Sequence, residues 1–452
     1  MQRISHTLGE EHQEVHYETL ELLAGKLKIA IGNMNSVMKS KGSGDDGVHI
    51  QRWKYALLQQ KIDKAIEDLA LWQQMFDPSW FMVMKAATPQ IDAELKSFQR
   101  ASTTGSHTPI SSAQSLRSAL DPAKANNISI FLPEVGLESL ELRDIPLCSA
   151  KIGLREDPSK GLILQHVQAS PGVQVAQLER DIRDLARKLA HSVPLEFGLL
   201  NCKGVIKHHK NSNPPIIDSF TFVFRIPPGL SNPRSLRRCL QELKQTESLT
   251  DRFRLASELA RSVSYIHMFG FVHKNIRPET ILLLSGESSV GSAFLIGFDC
   301  FRTAEGKTSR RGDSAWEKSL YQHPRRIGAN PADDYIMQHD IYSLGMCLLE
   351  IGLWKSFVAY DTDSCIPNDG SDTHAIRTPV LGNDLSTPSF KDHLLSLARG
   401  ELRSRMGSKY SEIVETCLTC LDPGNADFGD EEEFRDEDGI QVGVRYIEKV
   451  SV

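Results

Sequence analysis

The residues best suited to chemistry are concentrated in the segment HKNIRPETILL, residues 273–283. His273, Asn275 and Arg277 occupy alternate positions of this segment. Arg277 carries a permanent positive charge, and Thr280 offers a hydroxyl oxygen that is a weak metal ligand. The side-chain amide of Asn275 is neutral and cannot take up a proton at physiological pH. The segment therefore carries polar groups but no general base at Asn275.

The same segment resembles the catalytic-loop pattern H-R-D-L-K-P-E-N-I-L-L of protein kinases. Further landmarks of that family occur in the family's order: YIHMFGFVH at 265–273, FLIGFD at 294–299, YQHPR at 321–325 and DIYSLG at 340–345. In the same order, these four segments are similar to the helix and turn before the catalytic loop, the strand that leads into D-F-G, the Y-x-x-P-E sequence and the D-x-W-S-x-G sequence of the family. The ordered series predicts a protein-kinase-like fold.

Phosphoryl transfer in this fold needs a carboxylate base, a strand lysine for the nucleotide phosphates, and metal ligands. The resemblance puts Asn275 at the base position and Arg277 at the position of the loop lysine. It puts Thr280 where the metal-binding asparagine stands, and Gly297 where the aspartate of D-F-G stands. Because Gly297 has no side chain, the metal ligand is missing. The resemblance therefore implies a pseudokinase.

Other residues of the pattern are interpreted as architectural. The resemblance implies that Asp340 hydrogen-bonds the backbone of the catalytic loop and that His273 packs beneath that loop. Asp299, two residues after Gly297, is either a displaced metal ligand or a surface or helix-capping residue. Arg325 replaces the glutamate of Y-x-x-P-E, so the ion pair of that glutamate is replaced or absent.

The nucleotide-binding features upstream are also incomplete. The V-A-I-K pattern of the strand lysine is met only by ILQH, residues 163–166, which contains no lysine. Glu179, on a helix predicted from 175 to 191, is the candidate for the partner glutamate and has no such lysine to pair with. No G-x-G-x-x-G sequence precedes this region, and Gly153 and Gly161 flank a polar, glycine-poor stretch. ATP binding is therefore not expected.

The N-terminal part has helical periodicity. Apolar residues recur every three or four positions over 17–38 and over 51–76, with a glycine-rich break at 42–47, and a short helix is predicted from Trp80. The stretch WKYALLQQKIDKAIEDL, residues 53–69, resembles the end of the helical HeLo-type domain of fungal heterokaryon-incompatibility and prion-propagation proteins. That resemblance implies a signalling or cell-death role in which the helices bind membranes or self-associate. A helical dimerisation bundle is the alternative.

The predicted fold class is α+β, a bilobal protein-kinase-like fold preceded by an α-helical bundle region. The predicted divisions are a helical HeLo-like region at 1–100, a Ser/Thr-rich linker at 101–127, an N-lobe at 128–245 and a C-lobe at 246–452 that includes the acidic segment 430–438. Strands are predicted at 128–132, 162–167 and 220–226. Helices are predicted at 249–268, capped by Thr250 or Asp251, and at 340–352, and a polar, mobile insertion is predicted at 361–388.

Composition narrows the function classes. The formal charge is −6, from 52 basic and 58 acidic residues, which provides no positive field for nucleic acid. The first residues lack the apolar run of a signal peptide, so a cytoplasmic location is predicted. The 8 cysteines are scattered, and Cys417 and Cys420 form a lone C-x-x-C without the further ligands of a metal site. No metal or other cofactor is expected.

The leading prediction is a non-catalytic signalling protein that acts by binding protein partners or by conformational switching. The alternative is an active atypical Ser/Thr kinase that uses ATP and magnesium, with Asp299, Arg277 and Lys160 as its working residues. A third class is an adaptor that docks a partner through Arg310 and Arg311.

Overall fold

The protein is described by a computed structural model, which divides into two compact units, Met1–Gln114 together with Ser451–Val452, and Ser115–Val450. The structure describes residues 28, 38–40, 48–50, 115, 117–119, 129–133, 140–154, 161–169, 175–210, 216–242, 247–286, 290–303, 315–327, 335–360, 375–378 and 387–425. No helix among these residues is both long enough and apolar enough to cross a membrane.

In the first unit, Lys28 is helical, and two short antiparallel strands follow, β1 (Met38–Ser40) and β2 (Val48–Ile50). Met38, predicted as the last residue of the first helix, lies instead in β1. The predicted helices at 51–76 and from Trp80 lie outside the described residues, and so does the acidic segment 430–438. In the predicted linker, residues 117–119 are helical.

The second unit begins with a sheet and continues with helices. Its strands are β3 (Phe131–Leu132), β4 (Glu141–Asp144), β5 (Ala150–Leu154), β6 (Leu162–Gln168), β7 (Cys202–Lys210), β8 (Ile216–Arg225), β9 (Ser231–Ser235), β10 (Phe271–Val272), β11 (Ile281–Ser285), β12 (Ser292–Leu295), β13 (Arg302–Thr303), β14 (Val358–Tyr360) and β15 (Ala375–Arg377). Its α-helices are α1 (Val175–Ala190), α2 (Pro194–Phe197), α3 (Leu236–Gln241), α4 (Leu249–Met268), α5 (Trp316–Ser319), α6 (Met337–Leu353), α7 (Thr387–Leu397), α8 (Arg403–Met406) and α9 (Ser408–Leu418).

Six strands form one sheet in the order β3-β7-β8-β6-β5-β4. All neighbours are antiparallel except β3 and β7, which run parallel. Helix α1 packs against β7, because Ile182, Leu185, Ala186 and Leu189 form a buried apolar stripe at helical spacing. The sheet and α1 together form the smaller part of the domain.

The helical part is built around α6, in which every residue from 338 to 353 is buried. A helix that is enclosed on all sides belongs to the core of a domain. Helices α4 and α9 pack along it. Strands β9, β11 and β12 form a small sheet next to α4. This mixed α+β architecture, a sheet part followed by a helical part, is consistent with a kinase-like fold.

Several local predictions need correction. Helix α4 has the predicted bounds, but its cap is Ser248, whose hydroxyl accepts a hydrogen bond from the backbone N–H of Asp251 over 3.1 Å. The prediction of Thr250 or Asp251 as the cap was wrong, because both residues lie inside the first turn of the helix. A capping side chain has to stand just before that turn to accept from its free backbone N–H groups. Strands β4 and β7 were not predicted. Strand β15 lies inside the predicted insertion at 361–388 and pairs with β14.

Candidate functional site

Asp340 organises the loop between β10 and β11. Its carboxylate accepts hydrogen bonds from the backbone N–H of His273 at 2.7 Å and of Lys274 at 2.9 Å. The Tyr335 hydroxyl donates to it over 2.7 Å, and His267 Nε2 lies 3.0 Å away. Burial acts to raise the pKa of Asp340, but these hydrogen bonds and neighbouring histidines prevail and lower it. Asp340 is therefore an ionised anchor enclosed in the core.

His273 ties the loop to the strand that precedes Gly297. Its side chain is fully buried, and Nε2 lies 3.0 Å from the carbonyl oxygen of Ile296. Since a carbonyl only accepts, Nε2 carries the proton in this arrangement. The ring also contacts Phe298, with centroids 5.1 Å apart. Burial lowers the pKa of His273, so the imidazole is a neutral structural donor.

Asn275 stands at the predicted base position, and both ends of its amide are engaged. Its Nδ2 donates to Oδ1 of Asp299 over 2.7 Å, and its Oδ1 accepts from Nε of Arg277 over 2.8 Å. The Thr280 hydroxyl lies 2.7 Å from the carbonyl oxygen of Asn275 and accepts from the backbone N–H of Arg277 at 3.2 Å. The structure thus brings the predicted residues of the loop together in one hydrogen-bonded group.

Gly297, at the predicted position of the D-F-G aspartate, leaves no room for a side chain. Its φ of +93° lies in the region that favours glycine. A Cβ atom placed there would lie 2.4 Å from Cγ2 of Thr280. The methyl group of Thr280 therefore occupies the space that a side chain at position 297 needs.

Gln165, not His166, faces this loop from the sheet. The Gln165 side chain is 1% exposed and its Oε1 accepts from the backbone N–H of Gly297 over 2.9 Å. His166 points to the other face of β6 and is exposed, because successive side chains on a strand alternate. Matching ILQH to V-A-I-K aligns His166 with the lysine of that pattern. The side chain that reaches the loop belongs to Gln165, one residue earlier.

The turn between β4 and β5 reaches down to the helical part. The backbone N–H of Ser149 donates to the carbonyl oxygen of Glu279 over 3.3 Å, and the Ser235 hydroxyl donates to the carbonyl oxygen of Pro146 over 3.0 Å. Burial raises the pKa of the Cys148 thiol to about 12. Residues 145–149 thus cross to the helical part, whereas residues 155–160 of the polar stretch between Gly153 and Gly161 lie outside the described residues.

Glu179 has a lysine partner on a different strand. Its carboxylate lies 2.8 Å from Nζ of Lys207 on β7 and 3.0 Å from Nη2 of Arg183 on its own helix. The sequence analysis expected no V-A-I-K lysine as a partner for Glu179; the lysine that pairs with it lies instead on β7, a strand that was not recognised in the sequence. Glu179 therefore connects its helix to β7, the strand next to the edge strand β3.

A buried arginine was missed by the sequence analysis. Arg237 on α3 is fully buried and its Nε and Nη1 lie 3.0 Å from Glu279 and 2.7 Å from Glu350. Its guanidinium also donates to the hydroxyl of Tyr321, which in turn donates to Glu350 over 2.7 Å. Because Tyr321 belongs to the YQHPR stretch, this network ties that stretch to α6 without a glutamate at position 325.

The pKa values of the two carboxylates in the Arg237 network shift in opposite directions. Burial raises the pKa of Glu350. For Glu279, burial acts in the same direction, but the charges of Arg237 and Arg277 prevail and lower its pKa. One arginine thus stabilises two carboxylates, and no pattern in the sequence indicates this pairing because the three residues are far apart along the chain.

The remaining predicted residues fall into two groups. Lys160, Arg310 and Arg311 lie outside the described residues. Cys417 and Cys420 are buried free thiols, and the residues that the structure describes contain no group of three or more His, Cys, Asp or Glu arranged to hold a metal ion.

Comparison with known proteins gives a distant and partial similarity to protein kinases. No protein-family model matches the chain. A stretch of 105 residues is 31% identical to the eukaryotic translation initiation factor 2-alpha kinase 1 of Mus musculus and covers 22% of this chain and 16% of that protein. A stretch of 108 residues is 32% identical to the protein of the same name from Rattus norvegicus, covering 22% and 17%. The chain thus spans less than a fifth of the length of these relatives. Together with the α+β architecture, the similarity supports a kinase-like domain.

Proposed function

We propose that the kinase-like domain is a pseudokinase, which acts by binding protein partners or by switching conformation. The observation that carries the proposal is the closed set of hydrogen bonds around Gly297. Gln165 reaches its backbone N–H, Asn275 bonds to Asp299, and the hydroxyl of Thr280 lies against the backbone. A base needs a group that takes up a proton, and a magnesium site needs carboxylate oxygens. Neither is present at Asn275 or Gly297.

The turn at 145–149 supports the same proposal. In phosphoryl transfer the phosphates are cradled by free backbone N–H groups or by a lysine. Here the backbone N–H of Ser149 is used by the carbonyl oxygen of Glu279, and the strand position that faces the loop is Gln165. Leu147 holds a φ of +52° at the tip of this turn, which is a conformation that favours glycine.

The test is a thermal-shift titration of the full chain with ATP, alone and with magnesium or manganese. We expect no change in melting temperature under any of these conditions, since a ligand that does not bind the native state cannot stabilise it. A metal-dependent rise in melting temperature with ATP concentration would show a working nucleotide site and refute the proposal. An established active kinase serves as the assay control.

The second candidate is an active atypical Ser/Thr kinase that transfers phosphate from ATP. It is favoured by one observation: the amide of Asn275 donates to the carboxylate of Asp299 over 2.7 Å, so a carboxylate lies next to the predicted base position. Incorporation of labelled phosphate into a generic protein substrate, lost in Asp299→Asn and kept in the neighbouring variant Cys300→Ser, would establish this candidate. No incorporation by the wild-type chain would dismiss it.

We further propose that residues 1–100 form a helical HeLo-like region, that it self-associates or contacts membranes, and that the chain works in the cytoplasm in fungal incompatibility or cell-death signalling. The helical periodicity and the resemblance at 53–69 support this. Chemical crosslinking of the full chain and release of dye from anionic vesicles separate the two modes. If crosslinking yields no oligomers and the vesicles release no dye, the proposal is contradicted.

A further inference from the structure

The edge strand β3 joins the sheet in an unusual way. It pairs in parallel with β7, with Phe131 opposite Val205 and Leu132 opposite Ile206. The backbone N–H of Val205 donates to the carbonyl oxygen of Ile130 over 2.9 Å. Every other pair of neighbours described in this sheet is antiparallel. Strand β3 also precedes the rest of the sheet in the chain, so it is the first part of the sheet reached from the N-terminal unit.

The side chains of β3 are seated in a specific site. The ring of Phe131 lies against two cations, with its centroid 3.8 Å from Nζ of Lys207 and 5.2 Å from the guanidinium carbon of Arg183. Both cations are the partners of Glu179 on α1. Leu132 packs against the apolar cluster of the sheet. Phe131 thus covers the ion pair of Glu179 with Lys207 that connects α1 to β7, and cation–π attraction favours this position.

Strand β7 is shaped to receive β3. Gly204 has a φ of +155°, and a Cβ atom there would lie 2.6 Å from the carbonyl oxygen of Ile130 and 2.7 Å from Cγ of Leu132. The pairing of β7 with β8 also shifts register between Cys202 and Gly204. A bulge with glycine at the point of closest approach permits a backbone to lie directly over it. The site for β3 is therefore built into β7.

Helix α1 is held differently at its two ends. Near its C-terminus, Nζ of Lys188 donates to the carbonyl oxygen of Phe269 over 2.6 Å, which fixes this end to the helical part. In its N-terminal half, Glu179 and Arg183 contact Lys207 and Phe131. Loss of β3 would therefore loosen the first half of α1 and leave the second half in place.

We propose that residues 129–133 form a detachable clip that fixes the first half of α1 against β7 when seated and frees it when released. The clip has only two strand residues, Phe131 and Leu132, at the edge of the sheet, and such short edge elements are typical of segments that open locally without global unfolding. The clip precedes the rest of the sheet in the chain. This device does not depend on whether the domain binds nucleotide.

Hydrogen–deuterium exchange of the full chain tests the clip. In Phe131→Ala we expect amide exchange to accelerate about tenfold or more at 203–207 and at 175–183, with no change at 184–190 or in α6. Gly204→Ala acts from the receiving strand and should give the same pattern. Leu142→Ala, an exposed residue of the opposite edge strand β4, is the matched control and should change neither region.

Two results would overturn the inference. Faster exchange at 203–207 with unchanged exchange at 175–183 would mean that β3 does not hold α1. Acceleration that extends to α6 would mean that β3 stabilises the whole domain and does not act as a clip.

A second measurement uses a labelled synthetic peptide of residues 127–135. It should bind the Phe131→Ala chain and restore slow exchange at 175–183, whereas the wild-type chain, whose site is filled by its own strand, should not bind it. The same peptide with alanine in place of Phe131 should not bind either chain. Failure of the unmodified peptide to bind the variant would contradict a detachable clip.

Discussion

Replacing Arg237 by methionine removes the cation that lies between Glu279 and Glu350 and leaves Glu279 only the longer contact of 3.5 Å with Nη1 of Arg277. The side chains of Arg237, Glu279 and Glu350 are at most 8% exposed, so water cannot take over the role of the guanidinium. Removing one partner of a buried ion pair costs about 3–5 kcal/mol, because the other charge stays buried without compensation. For a domain of this size that corresponds to a fall in melting temperature on the order of 10 °C.

The neighbouring residue supplies the control. Arg238 also pairs with a glutamate, Glu242, at 3.0 Å, but both side chains are about two-fifths exposed. Exposed ion pairs contribute about 0–1 kcal/mol, so Arg238→Met should leave the melting temperature nearly unchanged. Urea unfolding of both full-length variants, followed by circular dichroism, gives the free energies of unfolding directly.

The pH dependence identifies the cause. Without Arg237, the buried carboxylates have raised pKa values in the folded state, so the folded variant binds protons more readily than the unfolded chain. Stability of such a protein rises as pH falls. The difference between wild type and Arg237→Met should therefore shrink between pH 8 and pH 5. An equal loss in Arg237→Met and Arg238→Met, or a difference that does not change with pH, would refute the electrostatic argument.

Three further predictions concern single residues. His323 is 4% exposed, and burial lowers its pKa from 6.5 to about 3. Because only the unfolded chain takes up this proton between pH 7 and pH 5, the free energy of unfolding should fall by roughly 2 kcal/mol over that range. His323→Asn should remove this part of the pH dependence, as measured by urea unfolding at each pH. Gly297→Asp should destabilise the domain by about 1–3 kcal/mol, through its positive φ and the contact with Thr280, and should show no ATP-dependent thermal shift; a gain of ATP binding would contradict the geometry. Ser248→Ala should cost about 1 kcal/mol as the loss of a helix cap, whereas Thr250→Ala should cost less than half of that by urea unfolding.

The sequence was informative where local signals are strong. The bounds of α4 and α1 follow from apolar periodicity, and the ordered landmarks place the loop at 273–283 next to Asp340. The sequence was uninformative where the decisive contacts join distant segments. Glu350 lies more than a hundred residues from Arg237, and Lys207 meets Glu179 only because β7 and α1 pack together. A pattern search also cannot decide between Gln165 and His166, because strand register depends on the neighbouring strands.

The residues that differ from the kinase pattern pack against one another, so replacing one of them by the residue of that pattern affects the others. The methyl group of Thr280 fills the space beside Gly297, and Gln165 uses its side chain to satisfy the backbone of the same glycine. Since Gly297 and Gln165 are buried, changing either residue alone leaves a clash or an unpaired N–H group, which is costly in a core. Asp340 and His273, which match the pattern, also satisfy buried backbone groups. Asp340 accepts from the backbone N–H groups of His273 and Lys274, and His273 donates to the carbonyl oxygen of Ile296. The loop is therefore a packed structural unit, in which a catalytic side chain introduced alone would lack both the space and the partners that it needs.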